Sequence, residues 1–198
     1  SYDLIVVGSY FYLVGAAVHV GEPYTVKRYD GRVFFTLPSF DYRGVITNIY
    51  AVGSNAYFMS GSSNIHYFDG TSLTAVFGGL GIIYAALWDD NLYVLAIEGM
   101  GPAEVPLYRI NGGTLSAIAM PAGTKIFTYP DFAVYNDAIY MMATHVATGD
   151  KVLRYDGTGF TDFFIVPGGI RPNERIFIRE NTLVIHSGEH GTTSANEY

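Results

Sequence analysis

Four carboxylates stand at intervals along the chain and have the residue type needed to cleave a glycosidic bond. They are Asp41, Glu98, Asp131 and Glu174, and each lies in a stretch that reads as a loop. Glycoside hydrolysis uses two carboxyl groups, one to protonate the leaving oxygen and one to attack the anomeric carbon or to activate water. Their separation in space, which the spacing along the chain does not give, decides between these two reactions.

Three tyrosines, Tyr24, Tyr42 and Tyr129, occur in the same predicted loops. Aromatic rings beside carboxylates suit sugars, whose C–H faces stack while their hydroxyls form hydrogen bonds, and they suit a protein partner equally well. An aromatic side chain in a loop more often covers the end of a core than contacts a ligand. We predict no catalytic residue, and the ligand-binding candidates are Tyr24, Asp41, Tyr42, Glu98, Tyr129, Asp131 and Glu174.

Histidines provide weaker candidates for a metal site. His19, His145 and His186 fall near the ends of predicted strands, and Glu189 and His190 follow His186 closely. Histidine is more often a hydrogen-bonded structural residue than a ligand. The chain has no cysteine, which excludes disulfides and thiolate-bound metals. We therefore expect no metal site and no cofactor, with His186, Glu189 and His190 as the weak metal candidates.

A repeated turn organises the chain that carries these residues. An Asp-Gly or Asn-Gly pair recurs at steps of 39, 42 and 45 residues, with alternating apolar stretches on both sides. Such pairs are preferred in hairpin turns whose two central residues have positive φ, and this predicts that geometry at all four turns. The pairs are Asp30-Gly31, Asp69-Gly70, Asn111-Gly112 and Asp156-Gly157.

A second turn signal alternates with the first and joins the first predicted strand of a repeat to the second. Two turn types in fixed alternation indicate a structural repeat with four strands in each copy. The second turns are Ser54-Asn55, Asp90-Asn91, Asn136-Asp137 and Glu180-Asn181.

This period of about 40 residues is typical of a radial array of small antiparallel sheets. We predict an all-β protein: a β-propeller of four-stranded antiparallel blades, with about four and a half to five blades in residues 1–198 and the last blade incomplete. We expect a single domain. The repeats span approximately residues 1–40, 41–80, 81–122, 123–170 and 171–198.

The strand pattern resembles β-propeller repeats of the kelch and bacterial surface kind. The segments that carry the resemblance are residues 91–94, 107–112 and 152–157, and the likeness extends over almost the whole chain. The chain departs from kelch because it lacks a double glycine after the second strand. The resemblance therefore implies a fold and transfers no activity.

Composition excludes some partners. The net charge is −7 with only three lysines, whereas nucleic-acid binding depends on Lys and Arg that neutralise phosphates. No apolar run approaches the length needed to cross a bilayer, so we expect neither nucleic-acid binding nor membrane insertion. Low charge with abundant Tyr, Gly, Ser and Thr favours an extracellular location or the surface of a cell or virion.

These observations favour a binding or assembly module over an enzyme. The incomplete last repeat would leave an open sheet edge, through which the chain could associate with a protein partner or with itself. One alternative is a carbohydrate-binding or glycoside-cleaving propeller that uses the acidic and aromatic loop residues. The other is a fragment of a larger propeller protein.

Overall fold

The computed structural model consists of β-strands joined by turns and loops. Within the ranges that it describes, no helix is long and apolar enough to span a membrane. The described residues are 2–7, 10–15, 25–37, 46–60, 63–79, 81–97, 103–126, 132–166, 175–189 and 192–197.

The first two repeats each form a four-stranded antiparallel sheet in which strands follow one another in chain order. Sheet 1 contains β1 (Tyr2–Val7), β2 (Tyr10–Gly15), β3 (Thr25–Tyr29) and β4 (Phe34–Thr36). Sheet 2 contains β5 (Ile46–Val52), β6 (Asn55–Ser60), β7 (Asn64–Phe68) and β8 (Leu73–Phe77).

The third repeat forms sheet 3, which has the same strand order. Its strands are β9 (Gly81–Trp88), β10 (Asn91–Ile97), β11 (Leu107–Asn111) and β12 (Thr114–Ile118). The predicted all-β fold with antiparallel sheets is thus confirmed for these repeats.

Sheet 4 has five strands because the position of its first strand is divided. β14 pairs with the start of β15, and β13 pairs with the end of the same strand. β16 and β17 complete the sheet. The strands are β13 (Thr124–Ile126), β14 (Phe132–Tyr135), β15 (Ala138–His145), β16 (Gly149–Tyr155) and β17 (Phe160–Ile165).

Sheet 5 contains three strands among the described residues. The strand after β19 lies in a segment where the sequence indicated no clear strand. Its backbone pairs with β19 from Val184 to Glu189. The strands are β18 (Arg175–Arg179), β19 (Thr182–Glu189) and β20 (Thr192–Glu197).

The two turn types are confirmed as turns, but the geometry expected of the Asp-Gly turns is wrong. Paired positive φ angles occur in three of the four other turns: at Asp89-Asp90 (47° and 57°), one residue before the predicted pair, at Asn136-Asp137 (43° and 52°) and at Glu180-Asn181 (48° and 62°). In the turn before Asn55 only Gly53 has a positive φ, of 59°. In the Asp-Gly turns only the glycine has a positive φ, for example 98° at Gly70.

The aspartates of these turns act through their side chains instead. Oδ1 of Asp69 accepts hydrogen bonds from the backbone N–H groups of Thr71 and Ser72 at 2.8 and 2.7 Å. Asp30 and Asp156 accept equivalent pairs. An Asp that binds the backbone two and three residues later closes a four-residue turn. The turn therefore requires a short side-chain acceptor rather than left-handed backbone at that residue.

The chain divides into two compact units. The first comprises Ser1–Leu80 with Ile110–Leu115, and the second comprises Gly81–Arg109 with Ser116–Tyr198. The single domain expected from the sequence stays a prediction. Each unit has its own buried core.

Within each unit, consecutive sheets pack face to face. In the first unit one core joins sheets 1 and 2. In the second unit one core joins sheets 3 and 4, and another joins sheets 4 and 5. We call the face that carries the third residue of the second strand the forward face of a sheet, and the opposite one its rear face. In sheets 1, 3 and 4 the forward face packs against the next sheet.

Equivalent residues fill these faces. The third residue of the second strand is tyrosine in sheets 1 to 4 and valine in sheet 5. All five are buried. They are Tyr12, Tyr57, Tyr93, Tyr140 and Val184.

Candidate functional site

The rear face of sheet 1 is an exposed apolar surface of the first unit. Leu4 is 60% exposed, Val6 59% and Phe34 56%. Strand register places Leu4 opposite Leu13 and Val6 opposite Phe11. These residues therefore project from the same side of the sheet, away from the core that sheet 1 shares with sheet 2.

Three aromatic rings form a row across this face. The rings of Phe11 and Tyr29 have centroids 6.2 Å apart, and those of Tyr29 and Phe34 are 4.8 Å apart. Together with Leu4 and Leu13 they line an open groove of about 250 Å³. A row of rings on a pleated surface is a broad apolar platform, which suits contact with another protein surface.

Equivalent rear-face positions in the other sheets are buried. Phe11 is 40% exposed. The residues at the same place in the second strands of sheets 2 to 5 are each 0% exposed: Ala56, Leu92, Ile139 and Leu183. Sheets buried on both faces carry apolar residues on both, whereas a sheet with one wet face alternates apolar and polar residues. Sheet 1 therefore has the composition of a sheet that is buried on both faces, although its rear face is exposed.

The forward face of sheet 1 is held to sheet 2 by Arg28. Its guanidinium lies 4.9 Å from the ring centroid of Tyr10 and 5.4 Å from that of Phe68 in sheet 2. Nη1 also donates a hydrogen bond of 2.9 Å to the carbonyl of Ser54. Cation–π contacts and a hydrogen bond from the charged guanidinium add to the apolar core between these sheets. They stabilise the packing of sheet 1 on sheet 2.

Tyr57, on the forward face of sheet 2, binds the Asn-Gly turn that follows β11. Its hydroxyl donates to the carbonyl of Ile110 at 3.2 Å and accepts from the N–H of Gly112 at 2.9 Å. Burial raises the pKa of this hydroxyl above its ordinary value. A forward-face tyrosine thus receives a turn of the following repeat.

Comparison with known proteins assigns no family. No family model matches the chain, and no curated protein is significantly similar to it.

The ligand-binding candidates from the sequence lie outside the described residues, so their binding role stays a prediction. These are Tyr24, Asp41, Tyr42, Glu98, Tyr129, Asp131 and Glu174. His190 also lies outside them, while His186 and Glu189 belong to β19 as backbone positions only.

His145, one of the histidines near a strand end, makes backbone contacts. Its Nε2–H donates to the carbonyl of Ala122 at 3.0 Å, and its Nδ1 accepts from the N–H of Ala147 at 3.2 Å. Both ring nitrogens are engaged in closing loops of sheet 4. Among the residues that the structure describes, no group of three His, Cys, Asp or Glu side chains is placed to hold a metal ion.

Sheet 4 contains a buried cation that sequence reasoning did not single out. Lys151 is 4% exposed, and its Nζ lies 2.8 Å from Oδ1 of Asp162. The side chain of Asp162 is 51% exposed. The carboxylate of Asp162 thus neutralises the buried ammonium of Lys151 and remains half exposed.

The rear face of sheet 1 was not among the candidate sites from the sequence, because those candidates are polar and aromatic residues in predicted loops. The available signal was that β1 and β2 carry apolar residues on both faces: Leu4, Val6, Phe11 and Leu13 on one side, Tyr12 and Val14 on the other. Apolar residues on both sides predict that both faces of the sheet are packed against other sheets. They do not indicate which face is left exposed.

Proposed function

We propose that the chain is a non-enzymatic binding or assembly module, extracellular or on the surface of a cell or virion, whose five sheets are blades of a β-propeller. The observation that carries the proposal is the repeated packing of forward face on rear face within each unit, together with the uncovered apolar rear face of sheet 1. Large exposed apolar patches commonly mark interaction sites.

The packing supports blades because the third residue of the second strand, a tyrosine in both cases below, contacts the next sheet. Sheet 1 meets sheet 2 through Tyr12 and Phe58, whose rings are 5.7 Å apart. Sheet 3 meets sheet 4 through Tyr93 and Tyr155, 6.1 Å apart. Sheets that turn the same face to their successors within a unit have the local geometry of propeller blades.

Small-angle scattering of the purified chain tests the architecture. A propeller predicts a squat particle of low anisotropy, and a profile of an extended row of sheets would contradict it. Assays for glycan binding and for release of reducing sugar test the function. We expect no hydrolysis, and measurable release of sugar would replace the proposal with the glycosidase alternative.

A further inference from the structure

The turn that follows β11 contains the single Asn-Gly pair of the sequence, Asn111-Gly112. Asparagine is a thermolabile residue, and a following glycine favours its deamidation because the absence of a Cβ leaves the next backbone nitrogen free to approach the side chain. We propose that Asn111 is a deamidation site that Tyr57 protects, so that Asn111 is converted only when this turn leaves the forward face of sheet 2. Tyr57 and Ile110–Leu115 belong to the same compact unit.

The reaction uses the backbone nitrogen of Gly112 as its nucleophile. This nitrogen gives up its proton to hydroxide and forms a bond to Cγ of Asn111, and the side-chain amide leaves as ammonia. Water then opens the cyclic imide at either of its carbonyls, which gives aspartate or isoaspartate. Water and hydroxide are the only co-reactants, and solvent reaches Asn111 because this residue is exposed.

Tyr57 engages this nitrogen while the turn is closed. The N–H of Gly112 donates to the Tyr57 hydroxyl at 2.9 Å, and the hydroxyl donates to the carbonyl of Ile110 at 3.2 Å. Burial raises the pKa of this hydroxyl above its ordinary value, so the hydroxyl keeps its proton and does not serve as a base for the Gly112 N–H. The nitrogen of Gly112 is therefore held away from the reaction until the two hydrogen bonds break.

The Asp-Gly turns of the other repeats bind their side chains instead. The carboxylate of Asp69 accepts hydrogen bonds from the backbone N–H groups of Thr71 and Ser72, and an ionised carboxylate is a poor electrophile. Among the residues that the structure describes, the side chain of Asn111 makes no hydrogen bond. The protection of Asn111 therefore depends on the contact between Gly112 and Tyr57.

Deamidation would make the opening of this turn permanent. The two atoms that Tyr57 binds lie on either side of Asn111, since one is the carbonyl oxygen of Ile110 and the other is the nitrogen of Gly112. Isoaspartate adds a methylene group to the backbone between these two atoms, and it also adds a negative charge. The modified turn no longer has the spacing that fits the hydroxyl of Tyr57.

Incubation of the folded chain at mildly alkaline pH, followed by peptide mass spectrometry, measures the conversion of Asn111 as a gain of about one dalton. The same chain unfolded in urea gives the unprotected rate. We expect the folded wild type to convert about tenfold more slowly or less, and Tyr57→Phe to convert about five- to thirtyfold faster than the folded wild type. Conversion is slow compared with opening, so its rate follows the population of the open turn.

Gly70→Ala is the matched control, and circular dichroism shows that each variant has folded. It lies in the same unit and should cost about as much stability as Tyr57→Phe, but nothing lies within 4 Å of the ideal Cβ position of Gly70. Asn111 in Gly70→Ala should convert at about the wild-type rate. Equal acceleration in the two variants, or no acceleration in Tyr57→Phe, overturns the proposal.

The wild type alone provides a second test that does not depend on the folding of any variant. Amide hydrogen exchange at Gly112 requires the same N–H to leave Tyr57, so its protection should equal the ratio of the unfolded and folded deamidation rates. A difference of more than about tenfold between the two values, in either direction, overturns the proposal. Folded wild type that converts as fast as the unfolded chain overturns it as well.

Discussion

The indole of Trp88 in sheet 3 packs against the backbone of Gly157 in sheet 4, so closely that a Cβ atom at Gly157 would lie 3.3 Å from Cη2 of the indole. Trp88 also meets Tyr155 edge to face at 6.1 Å. The Asp-Gly turn of one repeat thus sits on an aromatic side chain of the repeat before it, as the turn at Gly112 sits on Tyr57.

Gly157→Ala should destabilise the chain for two separable reasons. The φ of 91° disfavours any side chain, and the new methyl group would press on Trp88. Gly70→Ala is the matched control, because Gly70 has φ 98° and nothing within 4 Å of its ideal Cβ position. We expect a loss of about 1 to 2 kcal/mol for Gly70→Ala and about 1 kcal/mol more for Gly157→Ala, measured by urea unfolding. Equal losses would show that the indole moves aside freely.

Tyr57→Phe should weaken the attachment of the turn at Gly112. The substitution removes one acceptor and one donor and leaves the N–H of Gly112 and the carbonyl of Ile110 without this partner. We expect a loss of about 1 to 2 kcal/mol and faster amide hydrogen exchange at Gly112. Tyr140→Phe, at the same position of sheet 4, is the comparator and should change stability less; the reverse order would contradict the role of the hydroxyl.

The Asp69 turn should give the chain an acid-sensitive component of stability. The N–H and hydroxyl of Ser72, with those of Thr71, lower the pKa of the Asp69 carboxyl well below its ordinary value. Because the folded pKa lies below the unfolded one, the contribution is present above the unfolded value and is lost as pH falls through the folded one. The difference in thermal midpoint between wild type and Asp69→Ala should therefore be constant near neutral pH and narrow below about pH 4.

Asp69→Asn serves as the control for charge in that experiment. It keeps a side-chain oxygen for the backbone N–H groups but no longer accepts from Ser72 Oγ, which lies 2.7 Å from Oδ2. The thermal midpoint of Asp69→Asn should fall between those of wild type and Asp69→Ala. A gap that is unchanged down to the lowest pH would show that ionisation of Asp69 contributes nothing.

Removing the carboxylate of the Lys151–Asp162 pair should lower the free energy of unfolding more than removing the ammonium does. Asp162→Asn deprives a buried ammonium of its carboxylate, whereas Lys151→Met replaces the ammonium with an apolar side chain of similar length. We expect a loss of about 1 to 3 kcal/mol for Asp162→Asn, reduced because Asp162 is half exposed, and less for Lys151→Met. Chemical denaturation measures both, and a more harmful Lys151→Met would contradict this interpretation.

The strands were largely predictable because their residues alternate with a period of two between turn signals. The alternation indicates strands at residues 25–29, 73–77 and 132–135, and these are the bounds of β3, β8 and β14. β13 was not predicted. Its three residues are too few to show alternation, and Ile126 is fixed by pairing with Ala103 and Ala143, which are distant in sequence.

β20 illustrates the opposite limit. Its sequence, Thr-Thr-Ser-Ala-Asn-Glu, has no apolar alternation, so only its pairing with β19 defines it as a strand. Residue types also could not distinguish the two turn geometries, because Asp-Gly and Asp-Asp are both common turn pairs. The difference depends on whether the carboxylate binds the following backbone, as at Asp69, or the backbone itself is left-handed, as at Asp90.

The candidate site was predictable only in its composition. Sequence periodicity shows that sheet 1 is apolar on both sides, but the exposure of Leu4 and Phe34 depends on which sheets are present to cover them. The exposure of these side chains depends on packing between sheets rather than on any local stretch of residues.

The meander order of sheets 1, 2 and 3 has an evolutionary consequence. Each of their strands pairs with the strand before or after it in the chain, so their backbone hydrogen bonds close within a segment of about 40 residues. Duplication or deletion of such a segment in a gene would leave every ladder of the remaining sheets intact and would only change which forward face meets which rear face. The number of repeats is therefore free to drift between descendants of one ancestral gene.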